Sequence, residues 1–311
     1  MIDRLIERIE KVNNPSVAGL DPTYDMIPAK IKKEMLNNFG KTPKAAAEMF
    51  IAFNKGLIDS LYDIVPAVKT QIAMYEKYGF EGIRAYTETI SYAKAKGLFV
   101  IGDIKRGDIS STAAAYAAHL EGISIEGEFF DLWQEDAVTL NPYLGFDGIE
   151  PFIKPCNELD KGIFILVKTS NKSGEQLQGL GLTGSCSGPM GSNTVCERAA
   201  EFVSEWGELA MGSRGYSKIG AVVGATNNSG MQRLRKMMPH TFFLVPGYGA
   251  QGGKGSDIKA LFDKDGGGCI VNSSRGIIAA YKEVSGYSDE NFGDAARAAA
   301  LNMRDDIRKA L

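Results

Sequence analysis

Apolar and polar positions alternate between two periods along this chain. Eight short β-type runs recur: 16–21 (SVAGLD), 67–71 (AVKTQ), 98–105 (LFVIGDIK), 137–143 (AVTLNPY), 162–170 (GIFILVKTS), 219–226 (IGAVVGAT), 242–249 (FFLVPGYG) and 268–274 (GCIVNSS). Between them, apolar residues fall at helical spacing over 43–64, 80–97, 111–122, 194–210 and 229–238. Strand–helix alternation of this kind predicts parallel strands joined by helical crossovers. Eight units match an α/β fold of the (β/α)8 TIM-barrel type, for which about 250 residues is typical and insertions are common. An open doubly wound sheet is the alternative, but no GxGxxG follows the first run.

Extra length sits at 22–42, at the Gly/Ser-rich stretch 171–193 and at 285–311, which ends in a helical pattern. The charged, amphipathic start MIDRLIERIEKVNNPS also reads as a helix and has no apolar signal-peptide core. With no linker and no repeat beyond the βα alternation, one catalytic domain over 1–311 is expected, carrying loop insertions.

Composition narrows the function. The 311 residues carry a net charge of −3, and no basic tract is interleaved with aromatics, so a nucleic-acid partner is not expected. No apolar run approaches the roughly 18 residues of a membrane span, and the cytoplasm is the expected compartment. Cys156, Cys186, Cys196 and Cys269 form no CxxC pair, and the only histidines are His119 and His240, so no metal site is expected and the thiols read as free. Neither histidine falls at a strand end, which suggests structural or surface roles.

Polar residues gather at the C-terminal ends of the strands, the face where barrel active sites are built. Side-chain alternation puts Asp103 and Lys105 on one side, with Ile101 one layer deeper. Lys69 and Gln71 repeat that spacing on the neighbouring strand about 4.8 Å away, so a Lys69–Asp103–Lys105 cluster is natural, with Asp108 just beyond. A salt-bridge network that only closes the barrel mouth would use the same residues. Burying such charges costs several kcal/mol per ion before pairing, which favours a functional origin. A lysine among carboxylates stays protonated and can stabilise, then protonate, a carbanion. VPGYGAQGGKG (245–255) and NSSRGI (272–277) follow strands seven and eight, where barrels hold phosphate; backbone N–H groups together with Ser273, Ser274 and Arg275 are the candidate donors.

These residues resemble a known family. DIKRGDI after strand three, GLDP after strand one, VKTQ, TLNPYLG and PGYGAQGG look like orotidine 5′-phosphate decarboxylase, and the length and the loop after strand five resemble its longer, type 2 branch. The resemblance implies cofactor-free decarboxylation of orotidine 5′-phosphate to UMP, the last step of de novo pyrimidine synthesis. It implies that Lys105 protonates C6 and that Asp103 lies beside the leaving carboxylate. Lys69 and Asp21 would hold the ribose hydroxyls, Ser170 the pyrimidine amide, and Gln251, Gly252, Gly253 and Arg275 the phosphate. Asp108, Ile109 and Thr112 would reach the site of a neighbouring subunit, which implies a homodimer with shared sites; Asn141 and Gln71 complete the substrate-binding set. Part of the 171–193 loop is expected to move and help cover the nucleotide, against the alternative of a solvent-exposed insertion with no catalytic role.

Two other functions compete. Sugar-phosphate aldolases and decarboxylases of related barrels share a D-x-K-x-x-D element but hold Mg²⁺ through an acidic residue on strand two, where this chain has Lys69. A non-catalytic nucleotide-phosphate sensor would keep the phosphate loop and have no need of Lys105.

Overall fold

A computed structural model describes residues 1–186, 188–225, 228–249 and 254–311. Eight parallel strands close into a barrel: β1 (Ser16–Gly19), β2 (Ala67–Gln71), β3 (Phe99–Arg106), β4 (Ala137–Leu140), β5 (Gly162–Lys168), β6 (Ile219–Val223), β7 (Phe243–Val245) and β8 (Cys269–Ser273). Each strand pairs with its neighbours in chain order, and β8 closes against β1 through Val17 and Asn272. The eight runs read from the sequence are these eight strands, most of them shorter at the C-terminal end because the chain leaves the ladder where the polar residues begin.

Alternation along the strands divides the core in two. Val17, Ala67, Phe99, Ile101, Ala137, Phe164, Val222, Leu244 and Ile270 fill the barrel interior. Their sequence neighbours Ala18, Val68, Val100, Val138, Ile165, Ala221 and Val271 face outward against the helices. The N-terminal end of the barrel is stoppered by α1 (Ile2–Val12), whose Ile2 and Leu5 join the inner cluster together with Met1. The opposite, C-terminal end is left open to polar side chains.

Most of the long helices form where their signals predict. In α2 (Ala29–Phe39) the chain covers part of the extra length before the first long helix. Thr42 caps α3 (Pro43–Leu61) by accepting from the Ala45 N–H, and Pro43 occupies the first turn, where its missing N–H is harmless. Next come α4 (Gly79–Ala95) and α5 (Ser110–Glu121). Between β4 and β5 lies α6 (Glu150–Glu158), which periodicity does not reveal because prolines 151 and 155 interrupt its pattern. The remaining long helices are α7 (Val195–Gly207), α8 (Asn228–Met237) and α9 (Phe292–Ala310). An antiparallel hairpin, Ile123–Ile125 with Glu128–Phe130, is likewise absent from the sequence reading, as is the helical form of α2. No helix among the described residues is long and apolar enough to cross a membrane.

The four cysteines are free thiols. Burial pushes Cys156 and Cys269 up to about 12, which leaves both thiols protonated and unreactive. His119 is buried behind β3, with Nδ1 2.7 Å from Glu135 Oε2 and its ring stacked on Trp133, while His240 is exposed and bonds the Gly215 carbonyl. Both lie away from the barrel mouth, as expected.

Candidate active site

The C-terminal mouth is built around Asp103. Its carboxylate is buried and accepts four hydrogen bonds, which fills its lone-pair capacity. Oδ2 accepts from Lys69 Nζ at 2.8 Å and from Gln71 Nε2 at 3.0 Å; Oδ1 accepts from Lys105 Nζ at 2.5 Å and from Thr139 Oγ1 at 2.8 Å. Lys69 also reaches Asp21 Oδ1 at 3.5 Å. Asp21 is held from the other side by the Gln71 N–H at 3.2 Å and by Ser274 Oγ at 2.6 Å.

Lys105 reaches Asp103 through a break in the strand, not through regular alternation. The register between β3 and β4 shifts between Gly102 and Arg106, and Lys105 sits at φ +46°. A non-glycine residue there carries strain of order 1–3 kcal/mol and persists only where its surroundings hold it. Here the Lys105 N–H leaves the ladder and donates to Thr139 Oγ1 at 3.0 Å, so one hydroxyl supports both the backbone and the carboxylate. The expected side for Lys105 is correct; the bulge that aims it is tertiary.

Burial alone would raise the Asp103 pKa, but the ammonium groups of Lys69 and Lys105 overcome it and hold the carboxyl well below the usual carboxylate range. For Lys69, burial works to lower the pKa, and Asp103 with Asp21 raises it above the ordinary lysine value. The two lysines differ in access. Lys69 has a 6% exposed side chain, whereas that of Lys105 is 42% exposed and open to solvent.

The single chain joins three of the four expected charged residues. Asp108 bonds the N–H of its neighbour Ile109 at 2.8 Å, and no ion pair ties it to the cluster among the described residues. Ile109 and Thr112 point away from the core, Ile109 being 59% exposed. At the end of β5, Ser170 packs so closely on Gly224 that a side chain there would collide with it. Asn141 accepts from the Tyr143 N–H and opens a short turn at the end of β4. Arg275 is exposed at the start of a short helix, Arg275–Ile278. Gln251, Gly252 and Gly253 lie outside the described residues. Ser273 Oγ is turned to the Tyr248 carbonyl at 3.4 Å, and Ser274, read from the sequence as an anion donor, instead spends its hydroxyl on Asp21.

Thr139, Asn272 and Lys168 also belong to the mouth and were not singled out by the sequence. The inward parity of Thr139 on β4 is the signal that could have found it. Lys168 is buried and bonds Glu175 at 2.5 Å; Thr169 and Gln178 add reciprocal bonds of 3.0 and 2.8 Å. These contacts pin the first part of the 171–193 insertion to β5. Beside it lies a cavity of about 730 Å³ lined by Asn141, Tyr143, Leu166, Leu177 and Phe202.

A closed parallel barrel whose C-terminal mouth clamps a buried carboxylate between two ammonium groups has the architecture of a (β/α)8 enzyme. The chain belongs to the orotidine 5′-phosphate decarboxylase / HUMPS family, whose model matches residues 52–288. It is 42% identical to an orotidine 5′-phosphate decarboxylase of Clostridium tetani over 100% of this chain and 99% of that one. A Petrotoga mobilis protein of the same name is also 42% identical, over 99% of this chain and 98% of its own. Among solved structures, Leishmania donovani OMP decarboxylase superposes with a TM-score of 0.72 at 29% identity, over 99% of this chain and 97% of that one. Leishmania donovani UMP synthase gives 0.75 at 31% identity; all of this chain matches, and it spans 56% of that longer protein.

Proposed function

We propose that this chain is a carboxy-lyase that converts orotidine 5′-phosphate to UMP without a metal or organic cofactor. The observation that carries the reading is the Asp103 carboxylate held between Lys69 and Lys105 at the barrel mouth, with Lys105 the accessible member.

The chemistry follows from fixed charge. The C6–carboxylate bond breaks, CO2 leaves and the electron pair stays on C6. The Lys105 ammonium, already in place, stabilises that charge and then transfers a proton to C6; the neutral amine regains a proton from water. Asp103 orients Lys105 through their hydrogen bond, and its own charge beside the substrate carboxylate favours departure. The uncatalysed barrier is high, so the site must supply on the order of 20 kcal/mol. Binding of the phosphate by Gln251, Gly252, Gly253 and Arg275 supplies part of this by closing the site.

Asp21 and Lys69 hold the ribose hydroxyls in this reading, Ser170 meets the pyrimidine amide, and Gln71 and Asn141 complete the pocket. Asp108, Ile109 and Thr112 serve the site of a second copy, so the working unit is a homodimer, each chain acting as one catalytic domain in the cytoplasm. Exposure of Ile109 and the lack, among the described residues, of an ion pair from Asp108 to the cluster of its own chain support that assignment. A magnesium-dependent sugar-phosphate reaction is disfavoured on the donor set: the Lys69 ammonium already occupies the space between Asp21 and Asp103, where a divalent ion would have to sit.

The test follows the absorbance of orotidine 5′-phosphate with wild type and Lys105→Ala, both in EDTA. Conversion by wild type and its collapse in the variant are expected. A folded wild type that converts nothing, with or without Mg²⁺, overturns the reading; binding of UMP without turnover points to a sensor.

A further inference from the structure

We propose that Asn272 is a further substrate-binding residue, which accepts a hydrogen bond from a ribose hydroxyl and is oriented for it by Ser274. Asn272 lies on β8 two residues after Ile270, which belongs to the barrel interior, while the intervening Val271 faces the helices. Alternation therefore points Asn272 into the mouth. It is 6% exposed, and its Oδ1 has no hydrogen-bond partner among the described residues. Such an orphan acceptor in a buried position requires an explanation.

The orientation of its amide follows from a chain of donors. A carboxylate oxygen accepts, so the Ser274 hydroxyl, 2.6 Å from Asp21 Oδ2, donates to it. The Ser274 oxygen then has lone pairs left and accepts from its other neighbour. That neighbour is the Asn272 amide at 3.3 Å, which must present its NH2 group. Oδ1 is thereby turned the other way, toward Gly19: a Cβ on Gly19 would lie 3.1 Å from Asn272 Oδ1 and 2.0 Å from Ser274 Oγ. Gly19 pairs in register with Lys69. The free acceptor thus sits over β1, between the strand that carries it and the strand of Lys69.

The ligand must bring a donor. Orotidine 5′-phosphate with its phosphate ionised has three: the ring N3–H and the 2′- and 3′-hydroxyls. The ring N3–H belongs with Ser170 just after β5, three strands away around the barrel. The two hydroxyls belong with Asp21 and Lys69, next to Asn272. This inference rests on the substrate reading above and adds to it a sugar-selective acceptor, with Ser274 as the positioning residue.

The experiment measures Kd for UMP, 2′-deoxy-UMP and 3′-deoxy-UMP with the full-length wild type, Asn272→Ala and Ser274→Ala. Binding is read without turnover, so failure of this inference and failure of the decarboxylase reading are separable. Wild type is expected to bind one deoxy analogue roughly 3- to 10-fold more weakly than UMP through loss of this bond. Asn272→Ala should lose a similar factor for UMP and nothing further for that analogue. Ser274→Ala should reduce the same discrimination, and Ser274→Thr, which keeps the hydroxyl, should restore it. An Asn272→Ala variant that weakens all three ligands equally, or none, overturns the proposal. If Asn272→Ala does not fold, Asn272→Ser decides by the same comparison.

Discussion

Replacing Asp103 with Asn keeps the shape of the side chain and removes the charge between two ammonium groups. In the folded chain Lys69 then retains only Asp21, at 3.5 Å, while its side chain stays 6% exposed. Taking one partner from a buried ion pair typically costs about 3–5 kcal/mol, because the remaining charge is left desolvated. Unfolding entropy of about 2.1 cal/mol/K per residue gives about 0.65 kcal/mol/K for 311 residues. The expected fall in Tm at pH 7 is therefore roughly 5–8 °C. The pH dependence gives the cause away. In wild type the folded pKa of Lys69 is raised, so its contribution is fully present below the ordinary lysine range and is lost only as pH rises through that raised value. In the variant, burial dominates and the folded pKa drops below the unfolded one. The unfolded state then binds more protons, so the deficit should shrink as pH rises from 7 toward 10. Thermal unfolding by circular dichroism at several pH values measures this, and decarboxylation should be lost throughout. A variant as stable as wild type at pH 7, or a deficit that stays constant with pH, would refute the argument that Asp103 is what makes the buried Lys69 tolerable.

Further outcomes follow from the same geometry. Gly19→Ala should abolish the Ser274–Asp21 bond, since its Cβ would lie 2.0 Å from Ser274 Oγ; UMP affinity by calorimetry should fall about tenfold or more, and an unchanged affinity would count against the relay. Asp103 stays ionised and Lys69 protonated across pH 5–9, because their pKa values are displaced outward in both directions; kcat/KM should be flat between about pH 7 and 9 and fall on the acid side below about pH 6, where the substrate phosphate takes up a proton. Mixing Lys105→Ala and Asp108→Ala chains, each inactive alone, should restore up to about a quarter of wild-type activity if sites are shared across a two-fold interface; no recovery on mixing would refute the sharing. Glu175→Gln should loosen the insertion from Lys168, raising hydrogen exchange over 172–178 while the barrel strands stay protected.

The barrel was legible because its signal is local and repeated. Each βα unit carries its own period-2 run and its own helical stripe, and eight of them leave few topologies. The helix α6 escaped because two prolines blur its period, and the hairpin at 123–130 because both its strands are three residues long. In the site, Lys69, Asp103 and Lys105 were found by parity on adjacent strands. Thr139 was missed although its inward parity on β4 places it beside Asp103, and Ser274 was missed in its actual role because its partner Asp21 lies 253 positions away in the chain.

By itself, the sequence determined the alternation of strands and helices, the face on which polar residues collect, and the family motif around 103–108. All of these are encoded in spacing along a few neighbouring residues. Only the tertiary structure decided how the charges meet: the bulge that holds Lys105 at φ +46°, the hydroxyl of Thr139 that sustains it, and the relay that leaves Asn272 Oδ1 without a partner among the described residues. Those features depend on where hydrogen-bond donors and acceptors from different strands fall relative to one another. That placement is fixed when the barrel closes, because each buried donor and acceptor must then find its partner among groups far away in the chain.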